Sequence, residues 1–198
     1  MTAQASFSIQ QAAASAKLAA PSIAALSHAR KQAVLLSVAE QLKVQMVNVL
    51  SANQQDMTNA KANQLSEAMC DRLLLDEERI DALATAVETI AAQPDPVGRM
   101  SASQTMPSGI QVSKMRIPLG VIAMIYESRP NVTIDAAALC FKAGNTVILR
   151  GGREALHSNL ALANCFHAAL ELHGLSRDAV TVIPDPDRSI MNTLLTLN

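Results

Sequence analysis

A chain of 198 residues that is 49% hydrophobic and 17% charged is too apolar to stay disordered and long enough to bury a core without disulfide or metal staples. Its 16 basic and 17 acidic residues nearly cancel, and with aromatics at 2% and no tryptophan it lacks the basic field and stacking surfaces of a general nucleic-acid binder. The apolar runs fall far short of the ~20 residues of a membrane span, so neither a nucleic acid nor a membrane is expected as a partner.

Three cysteines without CxxC spacing, behind an N-terminus with no basic-then-apolar leader pattern, are expected in a reducing cytoplasm. From Phe7 to Ala92 the chain is rich in Ala, Gln, Leu and Met, holds one proline, Pro21, and has no glycine. That composition predicts helices. Leu35, Ala39, Leu42, Met46, Val49 and Leu50 recur at the helical period, with Lys31, Glu40, Lys43 and Asn48 off the stripe. A second stripe, Ile80, Leu83, Ala84, Val87, Ile90 and Ala91, follows Asp76-Glu77-Glu78, whose acids suit an N-cap and the positive end of a helix. Pro94 and Pro96 close the helical region.

All seven glycines lie at or after Gly98, and the apolar residues there gather into short β-branched runs. Ile110 to Ile117 alternates imperfectly, as an edge strand or hairpin arm would. Gly120 to Ile125 is a continuous apolar run that predicts a strand buried on both faces of a parallel sheet. A helix is expected from Asn131 to Ala143, capped by Asn131 or Thr133 and stopped by Gly144, then a strand from Thr146 to Leu149. A further helix runs from Arg153 to His173 and ends at Gly174. Ala179 to Ile183 gives a third strand, after which Pro184-Asp185-Pro186-Asp187 turns into a last apolar helix whose Ile190, Leu194, Leu195 and Leu197 need a partner surface.

The predicted class is therefore α/β: N-terminal helices over residues 1–98, then a Rossmann-like parallel β-α-β-α-β-α half-sheet over 99–198. Right-handed crossovers leave the carboxyl ends of the strands on one edge, so the loops 126–131, 150–153 and 184–187 are expected to line one crevice.

Chemistry concentrates in two of these loops. Arg150-Gly151-Gly152-Arg153 joins a strand to a helix, where glycine backbone, free helix N–H groups and two guanidiniums are the parts of a phosphate site. A tight turn with solvated arginines explains the same residues equally well. Tyr126-Glu127-Ser128-Arg129-Pro130-Asn131 is a polar cluster after the most apolar strand, readable either as a functional loop or as a turn and cap. Cys140 and Cys165 lie in apolar helical stretches and are expected to be core residues, while Cys70 is more exposed but lacks a positioned base. His28, His157, His167 and His173 are never paired at i, i+4, so solvated or capping roles are expected and no metal site is.

The segment Ile117-Pro-Leu-Gly-Val-Ile-Ala-Met-Ile-Tyr-Glu-Ser-Arg-Pro-Asn-Val-Thr133, then Lys142-Ala-Gly-Asn-Thr-Val-Ile-Leu-Arg-Gly-Gly152 and Glu154, closely resembles the gamma-glutamyl phosphate reductase (glutamate-5-semialdehyde dehydrogenase) family, within the aldehyde dehydrogenase superfamily. The resemblance continues upstream through Ala68 to Ile80 and covers essentially the whole chain. It implies the aldehyde dehydrogenase fold and NADPH-dependent reduction of L-glutamyl 5-phosphate to glutamate 5-semialdehyde and phosphate, the second step of proline biosynthesis. In that family a cysteine thiolate attacks the acyl phosphate and hydride then reduces the thioester.

Carried onto this sequence, the resemblance puts Arg150 where a lysine contacts the adenosine ribose, with Gly151, Gly152 and Arg153 in the adjoining turn. Two arginines there favour a 2′-phosphate and hence NADPH. Tyr126, Ser128, Arg129 and Pro130 would line the cofactor groove, and Asn131 falls near the oxyanion-stabilising asparagine of the superfamily. The implied partners are the small-molecule substrate, further copies in a homo-oligomer, and a glutamate 5-kinase that passes the acyl phosphate on. Family members are longer, so the nucleophilic cysteine is expected beyond Asn198 and this chain alone is expected to be inactive. Two alternatives stand beside this reading. One is a non-catalytic nucleotide-binding or interaction module derived from the family. The other, an ordinary aldehyde dehydrogenase, is disfavoured by Ser128-Arg129-Pro130 in place of a proline-tryptophan pair.

Overall fold

The structure is a computed structural model that describes residues 7–185 and 189–196. Five helices come first: α1 (Ile9–Ala24), α2 (His28–Val44), α3 (Met46–Ala62), α4 (Glu67–Leu73) and α5 (Glu77–Ala92). Four of them start on a side-chain cap, with Ser8, Ser27, Ser66 and Asp76 each accepting a hydrogen bond from the amide three residues on. In α5 all six stripe residues are buried behind the Asp76 cap, as its sequence predicts.

The first stripe crosses from α2 into α3, which are bent by 67° at Gln45. Leu35, Ala39, Leu42 and Val49 are buried on one core, with Met46 and Leu50 packed against it. Lys31, off that stripe, is nonetheless fully buried and ion-paired with Asp95 at 3.0 Å. No single helix among the described residues is long and apolar enough to cross a membrane.

The second half opens with an antiparallel hairpin, β1 (Gln104–Thr105) and β2 (Gln111–Val112), prolonged by a Met100–Met115 bridge and exposed along its length. The remaining elements are β3 (Val121–Ile125), α6 (Asn131–Lys142), β4 (Thr146–Arg150), a 3-10 turn (Arg153–Ala155) running into α7 (Leu156–Leu172), β5 (Val180–Val182) and α8 (Ser189–Thr196). Strands β3, β4 and β5 pair in that order and all parallel, with Ile125 opposite Arg150 and Leu149 opposite Val182. Their carboxyl ends thus share one edge.

Alternate residues of β4 face opposite sides. Val147 and Leu149 join the large core of α2, α5, α6 and α7, whereas Ile148 meets Ile9 and Ala16 of α1 and Leu194 of α8. A covering layer on each face is what a parallel sheet requires. Leu194 and Ile190 find their partner surface on that second face, Leu195 is exposed, and Leu197 with Pro186 and Asp187 lies outside the described residues.

Three local expectations need correction. The strand buried on both faces is β4, not β3. β3 sits at the sheet edge with Ala123 and Ile125 exposed, because an apolar run reports hydrophobicity but not how many neighbours the strand acquires. Helix α6 is not capped by Asn131 or Thr133: Asn131 is already helical and bonds forward to Asp135, while Thr133 is buried in a side-chain chain described below. The helix expected from Arg153 begins as a 3-10 turn. Gly144 and Gly174 do stop α6 and α7, with φ of +78° and +67°.

Candidate active site

At the shared strand edge, the Tyr126 amide donates to the Arg150 carbonyl at 3.0 Å and carries the β3–β4 ladder one step past the strand ends. The Tyr126 hydroxyl donates to Thr133 Oγ1 at 2.6 Å, which in turn donates to Asn159 Oδ1 at 2.9 Å. Burial pushes the Tyr126 phenol up to about 12, against the smaller opposing pull of the Thr133 hydrogen bond. The tyrosine is a fixed donor at neutral pH, not a proton carrier.

Gly151 sits against this chain. A Cβ at that position would lie 2.2 Å from Asn159 Nδ2 and 3.1 Å from the Tyr126 ring. Its missing side chain is needed for close packing inside the protein. Asn159 is buried and held by Thr133, so it has nowhere to move, and Gly151→Ala is expected to cost about 1–3 kcal/mol in urea unfolding. Gly152→Ala meets only the carboxylate end of Glu154, which can swing aside at the expense of its Ser128 hydrogen bond, and should cost less in the same assay.

Ser128 is buried and donates to Glu154 Oε1 at 2.5 Å, tying the loop after β3 to the turn after β4. Pro130 is buried at the start of α6, Arg150 is half-buried and Arg153 exposed. Tyr126, Ser128, Gly151 and Gly152 are therefore drawn together with two guanidiniums at the rim.

The first α7 amides past this turn are taken by a carboxylate of the protein itself. The α7 amides of His157 and Ser158 donate to Asp56, a buried α3 carboxylate, at 3.3 and 2.7 Å. Asp56 also accepts from His157 Nδ1 at 2.7 Å and Ser158 Oγ at 2.6 Å, and Asn53 donates to that Oγ at 3.0 Å. A resident carboxylate takes the place an anion would fill at the helix terminus. The side chains of Arg150, half-buried, and Arg153, exposed, flank the turn.

The histidines are more engaged than solvated residues would be. Besides His157 on Asp56, His167 Nε2 meets the Val180 carbonyl at 2.6 Å, His173 meets Ser37 at 2.9 Å, and His28 lies 3.4 Å from Lys142 Nζ. Cys140 and Cys165 are buried, and burial pushes their thiols up to about 11 and about 12. Neither provides a thiolate at neutral pH.

Arg129 and Asn131 face a second place. They line a cleft of about 470 Å³ between the α6 start and the α4–α5 corner, with Arg72, Arg79, Asp71 and Asp135. Asn131 Nδ2 donates to Asp135 Oδ2 at 3.1 Å, which leaves the second amide hydrogen of Asn131 available. Burial pushes the Asp135 carboxyl up, and the Asn131 bond pulls partly back. Arg79 is consumed by structure: it donates to the Asp71 and Leu74 carbonyls at 2.5 and 2.9 Å and to Asp71 Oδ1 at 2.7 Å.

The sequence reading thus missed Asp56, Thr133, Asp135 and Asn159. Only Asp135, at i+4 from Asn131 on one helix, carried a local signal.

The sequence profile of the aldehyde dehydrogenase family matches residues 1–198. A gamma-glutamyl phosphate reductase of Shewanella denitrificans is 52% identical over 180 residues, 91% of this chain and 43% of that protein. One of Salinibacter ruber is 48% identical over 197 residues, 100% of this chain and 45% of that protein. The crystal structure of the gamma-glutamyl phosphate reductase of Thermotoga maritima superimposes with a TM-score of 0.89 at 34% identity, over 95% of this chain and 45% of that one. This chain spans less than half the length of these relatives.

Proposed function

The chain belongs to the aldehyde dehydrogenase family, and we propose that it carries the cofactor-facing and acyl-facing elements of an NADPH-dependent gamma-glutamyl phosphate reductase. The observation that carries this reading is the joint one of sequence and fold: 52% identity to one such reductase, and a backbone that follows the structure of another with a TM-score of 0.89. The reaction is reduction of L-glutamyl 5-phosphate to L-glutamate 5-semialdehyde and phosphate, within proline biosynthesis in the cytoplasm. A homo-oligomer supplied by a glutamate 5-kinase is part of the same proposal.

The residues present fit one end of the cofactor, which supplies hydride when bound. Arg150 and Arg153 flank the glycine pair, the charge of Glu154 is engaged by Ser128, and guanidiniums are matched to a 2′-phosphate. The α7 amides of His157 and Ser158 belong to Asp56 and take no part in that binding. Asn131, at the head of α6, has an amide N–H to offer an acyl oxygen as negative charge develops on it. The nucleophilic thiolate is none of Cys70, Cys140 or Cys165: two are buried and protonated, and Cys70 is half-buried with its Sγ on the Leu65 carbonyl at 3.8 Å.

The test is fluorescence titration of this chain with NADPH and NADH, alongside NADP+- and phosphate-dependent oxidation of glutamate semialdehyde by the protein that contains it. NADPH is expected to bind more tightly than NADH. The Arg150→Ala/Arg153→Ala variant should lose at least about tenfold of that preference, the worth of one charge-assisted hydrogen bond. Equal affinities in the unaltered chain, or a preference untouched in the double variant, would overturn the assignment of these arginines.

A further inference from the structure

Helix α6 begins without a side-chain cap: Pro130, at its cap position, is already helical and no side chain bonds the first amides. Asn131 does not anchor the helix either, because its amide is spent forward on Asp135 within α6. That bond fixes the Asn131 rotamer relative to α6 and leaves the stand of α6 against the sheet to other contacts. Among the described residues, Thr133 is the one member of the first turn whose side chain hydrogen-bonds outside the helix, and it does so on two sides. Its buried hydroxyl accepts from Tyr126 at 2.6 Å and donates to Asn159 Oδ1 at 2.9 Å.

Each partner is itself fixed. The Tyr126 amide is bonded to the Arg150 carbonyl at the end of the β3–β4 ladder, and Asn159 lies in the first turn of α7, whose His157 and Ser158 amides are held by Asp56. The Asn159 amide nitrogen and the Tyr126 ring both crowd the place a Gly151 Cβ would take. One hydroxyl thus joins the head of α6, the end of β3 and the glycine turn after β4. Residues two apart on a helix do not share a face, so Thr133 reaches inward while Asn131 faces the cleft. The neighbouring Ile134 is buried as well, but apolar packing has no direction, whereas a hydroxyl with donor and acceptor both used does.

We propose that Thr133 is a positioning residue of the reaction: held between Tyr126 and Asn159, its hydroxyl sets the place of the Asn131 amide relative to the cofactor turn. The inference rests on the reductase reading, in which Asn131 donates to the acyl oxygen, and adds what holds that donor in place. A donor to a developing oxyanion is worth about 10²–10³ in kcat, and only when aimed at the place the charge will occupy. A misplacement of ~1 Å caused by a residue remote from the chemistry costs up to about a hundredfold. Thr133 is fully buried and touches neither cofactor nor substrate, so its loss acts through Asn131.

The experiment is steady-state kinetics of NADP+- and phosphate-dependent glutamate semialdehyde oxidation by the protein that contains this chain. Thr133→Val, which deletes the hydroxyl and keeps the branched shape, is expected to lower kcat at least about tenfold and to leave KM for NADP+ within about twofold. Thr133→Ser returns the hydroxyl and should recover most of the loss. In an Asn131→Ala background, Thr133→Val should lower kcat by less than about twofold more, since residues acting as one unit are not additive. A residue that merely supports the fold would instead multiply with Asn131→Ala. The inference is overturned if Thr133→Val keeps kcat, if Thr133→Ser is as impaired as Thr133→Val, if the two losses multiply, or if Asn131→Ala leaves kcat intact. Should Thr133→Val fail to fold, Tyr126→Phe takes its place: it removes only the hydroxyl that Thr133 accepts, and should lower kcat alone but not in the Asn131→Ala background, with the opposite result overturning the inference. Absence of the oxidation in the unaltered protein overturns the reductase reading and this inference together, whereas an active parent with any of the other contrary results overturns this inference alone.

Discussion

Asp56→Ala is expected to lower the unfolding free energy by about 3–5 kcal/mol, read as a fall in the urea midpoint with the slope unchanged. Asp56 is 1% exposed and its carboxylate accepts from the amides of His157 and Ser158, from His157 Nδ1 and from Ser158 Oγ. It caps α7 from another helix, 102 residues away in sequence. A lost N-cap alone costs about 0.5–2 kcal/mol. Here Ser158 and Asn53 are buried too, so truncation also strands buried donors, each at about 1–3 kcal/mol. Against a total stability of about 5–15 kcal/mol that is a large fraction. Asp56→Asn keeps the shape but replaces one acceptor with a donor, so it should retain only part of the loss-free stability. Equal stability of Asp56→Ala and the unaltered chain would show that water replaces the carboxylate, which the burial of this cluster argues against.

Asp95→Ala is expected to cost about 3–5 kcal/mol, because it leaves a buried ammonium uncompensated. Lys31 Nζ sits 3.1 and 3.0 Å from the two Asp95 oxygens, and Asp95 accepts the Val97 amide at 2.9 Å. Lys142, 3% exposed, donates to the Ala91 carbonyl at 2.7 Å and adds a second cation to the neighbourhood. Replacing the pair together, Lys31→Met with Asp95→Ala, should cost less than Asp95→Ala alone, since no buried charge is left without its partner. A double-mutant cycle measured by urea unfolding checks this.

The pH dependence has a definite sign. Burial raises the Asp95 carboxyl, but the Val97 amide, the Lys31 hydrogen bond and the charges of Lys31 and Lys142 outweigh it and hold it below the usual aspartate value. A depressed carboxyl contributes stability that is present above its unfolded pKa of about 3.9 and is lost as pH falls through the folded value. The stability gap between the unaltered chain and Asp95→Ala should therefore be constant near neutrality and narrow below about pH 4.

Much of the architecture is written locally. The α5 stripe and its Asp76 cap, the glycine stops of α6 and α7, and the order of strands and helices after residue 120 all depend on interactions within a turn or on the alternation of a strand. Residues 117–154 carry the family resemblance in their order alone. Neighbouring loops at one sheet edge also follow from parallel topology alone, and the structure does bring Tyr126, Ser128 and the glycine pair together there.

What needed the tertiary structure is everything set by a partner distant in sequence. Hydrophobicity marks 121–125 as strand, yet its place at the sheet edge depends on which strands pair beside it. Helical periodicity runs straight through Gln45, whereas the 67° bend there sets both α2 and α3 against α7. Lys31 looks like a solvated residue until Asp95, 64 positions on, closes over it. The glycine pair of the β4–α7 turn reads as a ligand cradle until Asn159 and Glu154 are seen in the space, and the α7 amides read as an anion site until Asp56 arrives from α3. Periodicity and caps are properties of neighbouring residues. The pairing of a buried charge or an orphaned amide is a property of packing, and packing alone decided that Lys31, Asp56 and Asp95 are spent on structure.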